Sequence, residues 1–544
     1  MRNRLSLMNG KWAFILVAFV IGLAACSNGG EKTQKTAKLE DARYELDEDT
    51  PAWELDPQEE TELTWYVNGD WFNTEYGNDP ITRTLKEDLK LDVKFIKGDD
   101  EKLNTLFAGK KIPDLITIFD GNSDVAKRAE SWALPLQELA DKYDPYFYKV
   151  AQEQTLDWYQ LSEGKSYGYP SFSNTTEDYE KGLVHGNDGF LIKKDIYEAI
   201  GEPDMSTPDG LLSALGEIKE KFPEVTPFAF KGFASEGDAS SLSGTLQAYL
   251  GIPLQTEDGQ WYDRNLDEDY LDWIKTFNEA FKKGYISEDN FSDDNTVFEE
   301  NIASGKYASV LTGGIAQLSG FLQRNYEANP DSKYIAIDGP SIGNEPMLEQ
   351  AGPSGWSVTY ISKDVKDPAK AIQLYTYLLS EKGQYLTTFG VEGETFEFNE
   401  NGKAVLLPEV KKMKDENPEE FKKKYRMGEF WFFGHDSFEL EKGENDPPES
   451  IVQIRKWAEP YLSPEYFILA NIDPDQGTAE ARNLVNIKSR WASTLANLLT
   501  AKDENEFNKT LDSYKKFLDE NNFDAIVKIR NEKMQENKEK LGWE

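Results

Sequence analysis

The sequence predicts an α/β protein built on mostly parallel sheets, and three observations carry that reading. From Glu62 onward, short apolar runs alternate with amphipathic stretches on short loops, the pattern of strand–helix–strand crossovers. About 520 residues follow the apolar N-terminal segment, too many for one hydrophobic core and enough for two or more domains. The body after Cys26 contains no cysteine, so neither a disulfide framework nor thiolate chemistry shapes it.

The first strand is "LTWYV", starting at Leu63 and ended by the turn-rich stretch 68–80. A helix follows at about Pro80–Leu89, then a strand over 92–96 and a helix over 100–109. "PDLITIF", from Pro113, is the third strand, with Asp120, Gly121 and Asn122 at its C-terminal end. Ligands of open α/β sheets sit at the carboxyl ends of strands. Asn68, Asp70 and Trp71 after the first strand, and Phe119, Asp120 and Asn122 after the third, occupy that edge. Farther along, 193–201, 209–222 and 267–284 carry apolar residues at spacings of three and four, as helices do. "KYASVL", from Lys306, is a strand opening into a loop and helix start at Thr312, Gly313 and Gly314. The tail from Asn483 contains at least two amphipathic helices, and no internal repeat is present.

The single cysteine, Cys26, closes Leu23-Ala24-Ala25-Cys26 after a basic start and the apolar run "WAFILVAFVIGLAA". Fourteen helical residues reach about 21 Å against a hydrocarbon core of about 30 Å, too short for a comfortable span. The layout is that of a secretory signal, residues 1–25. The small residues before the cysteine resemble the lipobox of bacterial lipoproteins, which implies cleavage before Cys26 and acylation there. Several acyl chains hold a protein stably at a membrane. Residues 26–60 are polar, charged and without periodicity, and read as a flexible tether. The mature chain is therefore expected at the extracellular or periplasmic face of the cell membrane, anchored by lipid at Cys26.

A formal charge of −39 argues against nucleic acid as a partner and against broad adhesion to anionic lipid. Aromatic residues make up 13% of the chain, with 13 Trp and 26 Tyr; core packing uses most, and the surplus suits sugar recognition by ring stacking. Enzyme signatures are scarce. The two histidines, His185 and His435, fit neither a zinc spacing nor a nucleophilic triad. No Gly-rich phosphate loop or strand-elbow serine motif occurs. Asn471–Gly477 alternates oxygen side chains, but Gln476 stands in place of the loop glycine and Arg482 in place of the bidentate glutamate, so it is not an EF-hand. No metal and no cofactor is expected.

Several segments, in order, resemble the extracellular solute-binding proteins of ABC importers, family 1, a group that includes maltose-binding protein and the large sugar-binding lipoproteins of the LplA/LipO type. They are "LTWYVNGDWFN" from Leu63, "PDLITIFDGN" with "WALPLQELADKY" from Pro113 and Trp132, and "GKSYGYP" from Gly164 as a first crossing between lobes. "FLIKKDIYEAIGEPDM" from Phe190, "FEENIASGKYASVLTGGIAQL" from Phe298 and the returning segment from Gly355 to Gly393 complete the series. The resemblance implies the two-lobe periplasmic-binding-protein-like fold with a hinge and an interlobe ligand cleft. Lobe 1 is expected over 60–175 plus 338–405, and lobe 2 over 176–337 plus 406–544. Some polymer-binding relatives carry a calcium loop early in the second lobe. The corresponding stretch from Gly216 lacks alternating Asp/Asn and the loop glycine, so calcium there is not expected.

Carried over by position, Asn68, Asp70, Trp71, Phe119, Asp120 and Asn122 meet the ligand from lobe 1. Tyr169 and Ser171 do so from the first crossing, and Trp356 from the returning segment. Thr312, Gly313, Gly314 and Gln317 belong to lobe 2. In "EFWFFGH", from Glu429, the consecutive aromatics Trp431, Phe432 and Phe433 cannot all face one core on a regular element, so Trp431 is placed at the cleft. The expected activity is capture of a sugar, an oligosaccharide in this reading, and its delivery to ABC transporter permease subunits by a monomeric binding protein. Two alternatives stay open on the sequence: a cell-surface polysaccharide-degrading enzyme, and a ligand-sensing receptor component.

Overall fold

Two main sheets divide the chain, and a small two-stranded one pairs Phe396–Phe398 with Ala404–Leu406. The computed structural model describes residues 39–543 apart from 122, 162–163, 234–240, 349–351 and 445–446. The expected signal segment, Cys26 and the first part of the tether lie outside the described residues.

Lobe 1 is built on a five-stranded sheet: β1 (Thr61–Val67), β2 (Leu91–Lys97), β3 (Leu115–Ile118), β4 (Gly168–Ser171) and β9 (Ser357–Ile361), in the order β2-β1-β3-β9-β4. Lobe 2 is built on a four-stranded sheet: β5 (Asp188–Lys193), β6 (Thr226–Phe230), β7 (Tyr307–Gly313) and β8 (Tyr334–Ala336), in the order β6-β7-β5-β8. Among the described strands of these two sheets, only β1/β2, β1/β3 and β6/β7 pair in parallel. The sheets are mixed rather than mostly parallel. β9 comes back into lobe 1 from lobe 2 and so lies antiparallel to both β3 and β4.

Local chemistry explains the elements. The helix Pro80–Leu89 starts where the Asp79 carboxylate accepts from Thr82 N and proline occupies the first turn. Ile81, Leu85 and Leu89, four apart, face the core, and Lys90 ends the helix with φ of 49°. β3 is buried at every position, which its unbroken apolar run predicts for a central strand. In lobe 2 the core joins β5, β6 and β7 to the C-terminal helices Ala479–Leu499, Glu504–Glu520 and Phe523–Leu541, through Trp491, Leu495, Tyr514 and Ile526.

The lobe boundaries differ from those expected. Gly168–Ser171 is an edge strand of lobe 1, so the first crossing follows it, between Phe172 and Asn187. Residues 337–348 stay on lobe 2, where Met347 N donates to Ala248 O and Tyr249 OH donates to Ile337 O. Residues 406–443 belong to lobe 1 rather than lobe 2. Phe430 and Phe432 pack on Trp65 and Phe95, and Phe438 packs on Tyr385. The third crossing follows, before the helix Glu449–Ala458, whose Gln453 side chain bonds both backbone groups of Ala336 in β8.

The start of the first crossing is tied to the lobe 1 stretch around Gly434: Phe172 N donates to Gly434 O over 2.6 Å. Phe172 and Phe433 both hold positive φ, 52° and 58°, an uncommon state for bulky residues that the surrounding packing must enforce. Burial pushes the imidazoles of both histidines, His185 on the first crossing and His435 beside its start at Ser173, below their usual value. His185, also beside Arg455, falls to about 4.

The expected flexible tether is not a tether over its last part. Arg43 forks onto Asp56, Tyr44 OH donates to Tyr143 O, and Ala52 is buried with its N–H on Asp144 Oδ1. Polar composition hid this because the segment docks mainly through charge pairs rather than through an apolar stripe.

Candidate functional site

The C-terminal edge of the lobe 1 sheet carries a patch of aromatic rings drawn from four parts of the chain. β1 ends in a tight turn in which Gly69 N donates to Val67 O. A Cβ at residue 69 would lie 3.0 Å from the Trp71 indole, so glycine lets that ring fold back over the turn. The following loop is clamped from behind. The buried Arg426 guanidinium donates to the carbonyls of Asn73 (2.8 Å) and Glu75, and lies over the Phe72 ring at 5.3 Å. Trp356 is set by Gly355, whose φ of 60° and approach to the Ser171 carbonyl exclude a side chain, and by its own N–H on Ser171 O at 2.9 Å.

The indoles of Trp71 and Trp356 lie 6.4 Å apart and only 26° from parallel. Phe119 sits 4.9 Å from Trp356 and 5.8 Å from Trp71. Trp431 contacts all three, at 4.8 Å from Trp356, 6.0 Å from Trp71 and 5.6 Å from Phe119. Trp71 is 57% exposed and Trp356 47%, whereas Trp431 is buried. Two large indoles therefore stand exposed at this edge rather than packed in the core. Indole faces accept C–H contacts, and the carboxylates of Asp70 and Asp120 at the rim can accept hydrogen bonds from hydroxyls.

Lobe 2 approaches this edge through the stretch Asn471–Gly477 ahead of the helix Ala479–Leu499. Gln476 Nε2 donates to Asp120 Oδ2 at 2.8 Å. Asp475 pairs with Lys127 of lobe 1 and, at 2.8 Å, with Lys533 of lobe 2. Asp473 takes Arg530 at 2.5 Å and Lys488 at 3.2 Å. Burial alone would raise both carboxyls, but these cations outweigh it and hold them below the usual carboxylate range. Asp120, Asn471, Gln476, Leu484 and Lys488 border an opening of about 410 Å³ between the lobes. The sequence weighed this stretch only as a calcium loop; its alternating oxygen side chains instead meet basic groups. Among the described residues, no cluster of three His, Cys, Asp or Glu could hold a metal ion.

The structure gathers Asp70, Trp71, Phe119, Asp120 and Trp356 on one edge. Asn68 is half-buried at its base, donating to Asp100 at 2.7 Å. Gly313 and the exposed Gln317 lie where β7 runs into the helix Ile315–Ala328, in lobe 2. Asn122 lies outside the described residues. Three expected ligand contacts are buried instead. Tyr169 is enclosed and its hydroxyl accepts from Gln152 N; Ser171 Oγ pairs with Ser357 Oγ; Thr312 Oγ1 donates to Gly313 O. Both faces of β4 and of β7 are covered, so alternation along those strands exposes no side chain. Trp431, also placed at the cleft, supports the exposed indoles from a buried position.

Among the described residues no helix is long and apolar enough to cross a membrane. No curated protein matches the sequence. Solved structures share the fold at low identity. An extracellular solute-binding protein from Bifidobacterium longum subsp. infantis is 16% identical with a TM-score of 0.67, covering 88% of this chain and 98% of that one. A solute-binding protein described as HMO binding and ABC-transporter associated, from Bifidobacterium longum infantis, is 17% identical with a TM-score of 0.64, at 87% and 98% coverage. The N-glycan transport solute binding protein of Streptococcus pneumoniae is 16% identical with a TM-score of 0.56, at 88% and 99% coverage. The two sheets, the crossings between them and the match of residues 74–385 to the family model all agree: the chain belongs to the bacterial extracellular solute-binding proteins.

Proposed function

We propose that this protein captures an oligosaccharide between its lobes and delivers it to the permease of an ABC importer, from a position outside the cell membrane where lipid on Cys26 anchors it. The observation that carries the reading is the pair of exposed, nearly parallel indoles of Trp71 and Trp356, flanked by Asp70 and Asp120. Flat apolar faces beside hydroxyl acceptors match a sugar ring, which is apolar on its C–H face and polar at its edge. Structural neighbours described as HMO binding and as an N-glycan transport solute binding protein support the same class. Closure around a ligand needs differential binding: moving a two-state equilibrium from 1:99 to 99:1 takes about 5.5 kcal/mol. A few ring contacts and several hydrogen bonds to carboxylates supply that magnitude.

A thermal-shift screen of the purified protein against oligosaccharides tests the ligand class. A ligand at 100 times its Kd stabilises by about 2.7 kcal/mol, a readable shift. The ligand should be recovered intact after long incubation, and multiple turnovers would overturn the binding assignment. Cys26→Ser should abolish fatty-acid labelling while leaving the thermal shift unchanged. Label persisting on the serine variant would overturn the anchor.

A further inference from the structure

We infer that lobe 2 holds a separate seat for one terminal sugar of the same bound chain, in a pair of adjoining cavities away from the aromatic patch. The inference rests on the oligosaccharide reading and adds where the chain ends. Ser243, Asp263, Asn265, Lys488 and Arg530 border both cavities, which measure about 220 and 270 Å³. Sites that bury a whole drug-sized ligand run to about 300–1,000 Å³, so each of these holds a ring rather than a chain. Lys488 also borders the interlobe opening beside Asp120, so the cavities share a wall with the mouth of the cleft. Leu484, Lys488 and Trp491 stand four and three residues apart, and form one face of the helix Ala479–Leu499 along this path.

The lining is polar and already oriented. Asp263 accepts from Asn265 N at 3.1 Å and from the Tyr514 hydroxyl at 3.3 Å. Asn265 Oδ1 accepts from Gln247 Nε2 at 2.9 Å, and Trp491 Nε1 donates to Ser243 Oγ at 3.3 Å. The Arg530 guanidinium lies 4.4 Å over the Trp261 ring while Asp473 holds its charge. Acceptors, donors and indole rings therefore surround one ring-sized space. Sugar hydroxyls both donate and accept, so a polyhydroxylated ring uses both senses of that lining.

Gly244 supplies a clean probe. It borders the first cavity, a Cβ there would meet nothing within 4 Å, and its backbone is not left-handed. Gly244→Leu therefore adds apolar bulk at the cavity wall with room for its Cβ, and Lys488→Gln alters the shared wall by a separate route. Calorimetric titration would use gluco-, manno-, fructo- and xylo-oligosaccharides from disaccharide to hexasaccharide. In the series that binds, both variants should lose tenfold or more in affinity for the longer members, and Gly244→Leu, which lies outside the interlobe opening, should stay within twofold for the disaccharide. Affinities equal to wild type at every length, or reduced by one factor at every length, would overturn the terminal seat. Failure of the wild-type chain to bind any series would instead overturn the oligosaccharide reading itself.

Discussion

Gln476 Nε2 donates to the Asp120 carboxylate over 2.8 Å, joining the stretch ahead of the helix Ala479–Leu499 in lobe 2 to the end of β3 in lobe 1. Lys127 of lobe 1 pairs with Asp475 one residue away, and Lys540 Nζ donates to Trp158 O. Contacts of this kind bias the lobes together before a ligand arrives, which lowers the cost of closure. Gln476→Ala should shift the ligand-free ensemble toward open forms, seen as a larger radius of gyration in solution scattering. One partly exposed hydrogen bond is worth about 0.5–1.5 kcal/mol, so affinity should fall about 2–10-fold. An unchanged scattering curve together with an unchanged affinity would show that the contact does not bias closure.

Trp71 and Trp356 separate binding from stability. Each alanine substitution should weaken oligosaccharide binding by about 1–3 kcal/mol, the scale for losing an aromatic anchor. The ligand-free melting temperature should move little, because both rings are about half exposed. Trp65, buried against Phe95 and Phe432, should behave oppositely, with Trp65→Ala costing about 3–5 kcal/mol of folding stability. Calorimetry and melting curves on the three variants decide the matter. A collapsed melting temperature with normal affinity in Trp71→Ala would show that ring to be packing.

How much of this was legible in the sequence depended on the range of the physics involved. The strand–helix alternation from Thr61 to Ile118 was readable because burial period and cap residues such as Asp79 act over a few positions. Trp71 and Phe119 follow β1 and β3, and strand ends fix where such loops emerge; Trp356, just ahead of β9, was reached only through the resemblance of its segment. Tyr169, Ser171 and Thr312 were misplaced because coverage of the second face of β4 and β7 comes from segments distant in sequence. The docking of residues 43–56 was hidden for the same reason: Asp367, Lys370 and Gln373, its partners, lie more than 300 residues away. The Asn471–Gly477 wall had a visible signal in its alternating oxygen groups, but the cations that meet it come from Lys127, Lys488, Arg530 and Lys533.

Asp56 neutralises a lysine buried in lobe 1. Lys370 is almost fully enclosed, with Asp56 Oδ2 at 3.2 Å and Leu89 O at 2.9 Å. Burial opposes the charged carboxylate, but Arg43, Gln58 N–H, Gln373 and Lys370 outweigh it, so the Asp56 carboxyl lies well below its usual range. Asp56→Ala leaves a buried charge unpaired and should cost about 3–5 kcal/mol at neutral pH. A depressed carboxyl contributes stability above its unfolded value near 4, lost as pH falls through the folded value. The gap between wild type and Asp56→Ala should therefore narrow below about pH 4 in denaturant titrations. A gap that widens with acid would overturn the assignment.

Asp144 carries the opposite sign. Burial pushes its carboxyl up to about 7; Oδ1 accepts from Ala52 N at 3.2 Å, and Oδ2 has no hydrogen-bond partner. A folded value above the unfolded one means that the native state binds the extra proton, so stability is full below about pH 4. It should then fall steadily between about pH 4 and pH 7 and level off above. Asp144→Asn keeps an acceptor for Ala52 N and removes the charge. The variant should match wild type within about 1 kcal/mol near pH 4, and exceed it by up to about 4 kcal/mol at pH 8. Denaturant midpoints at the two pH values give the comparison directly. The same offset at both would mean that the substitution changed packing rather than removed a buried charge.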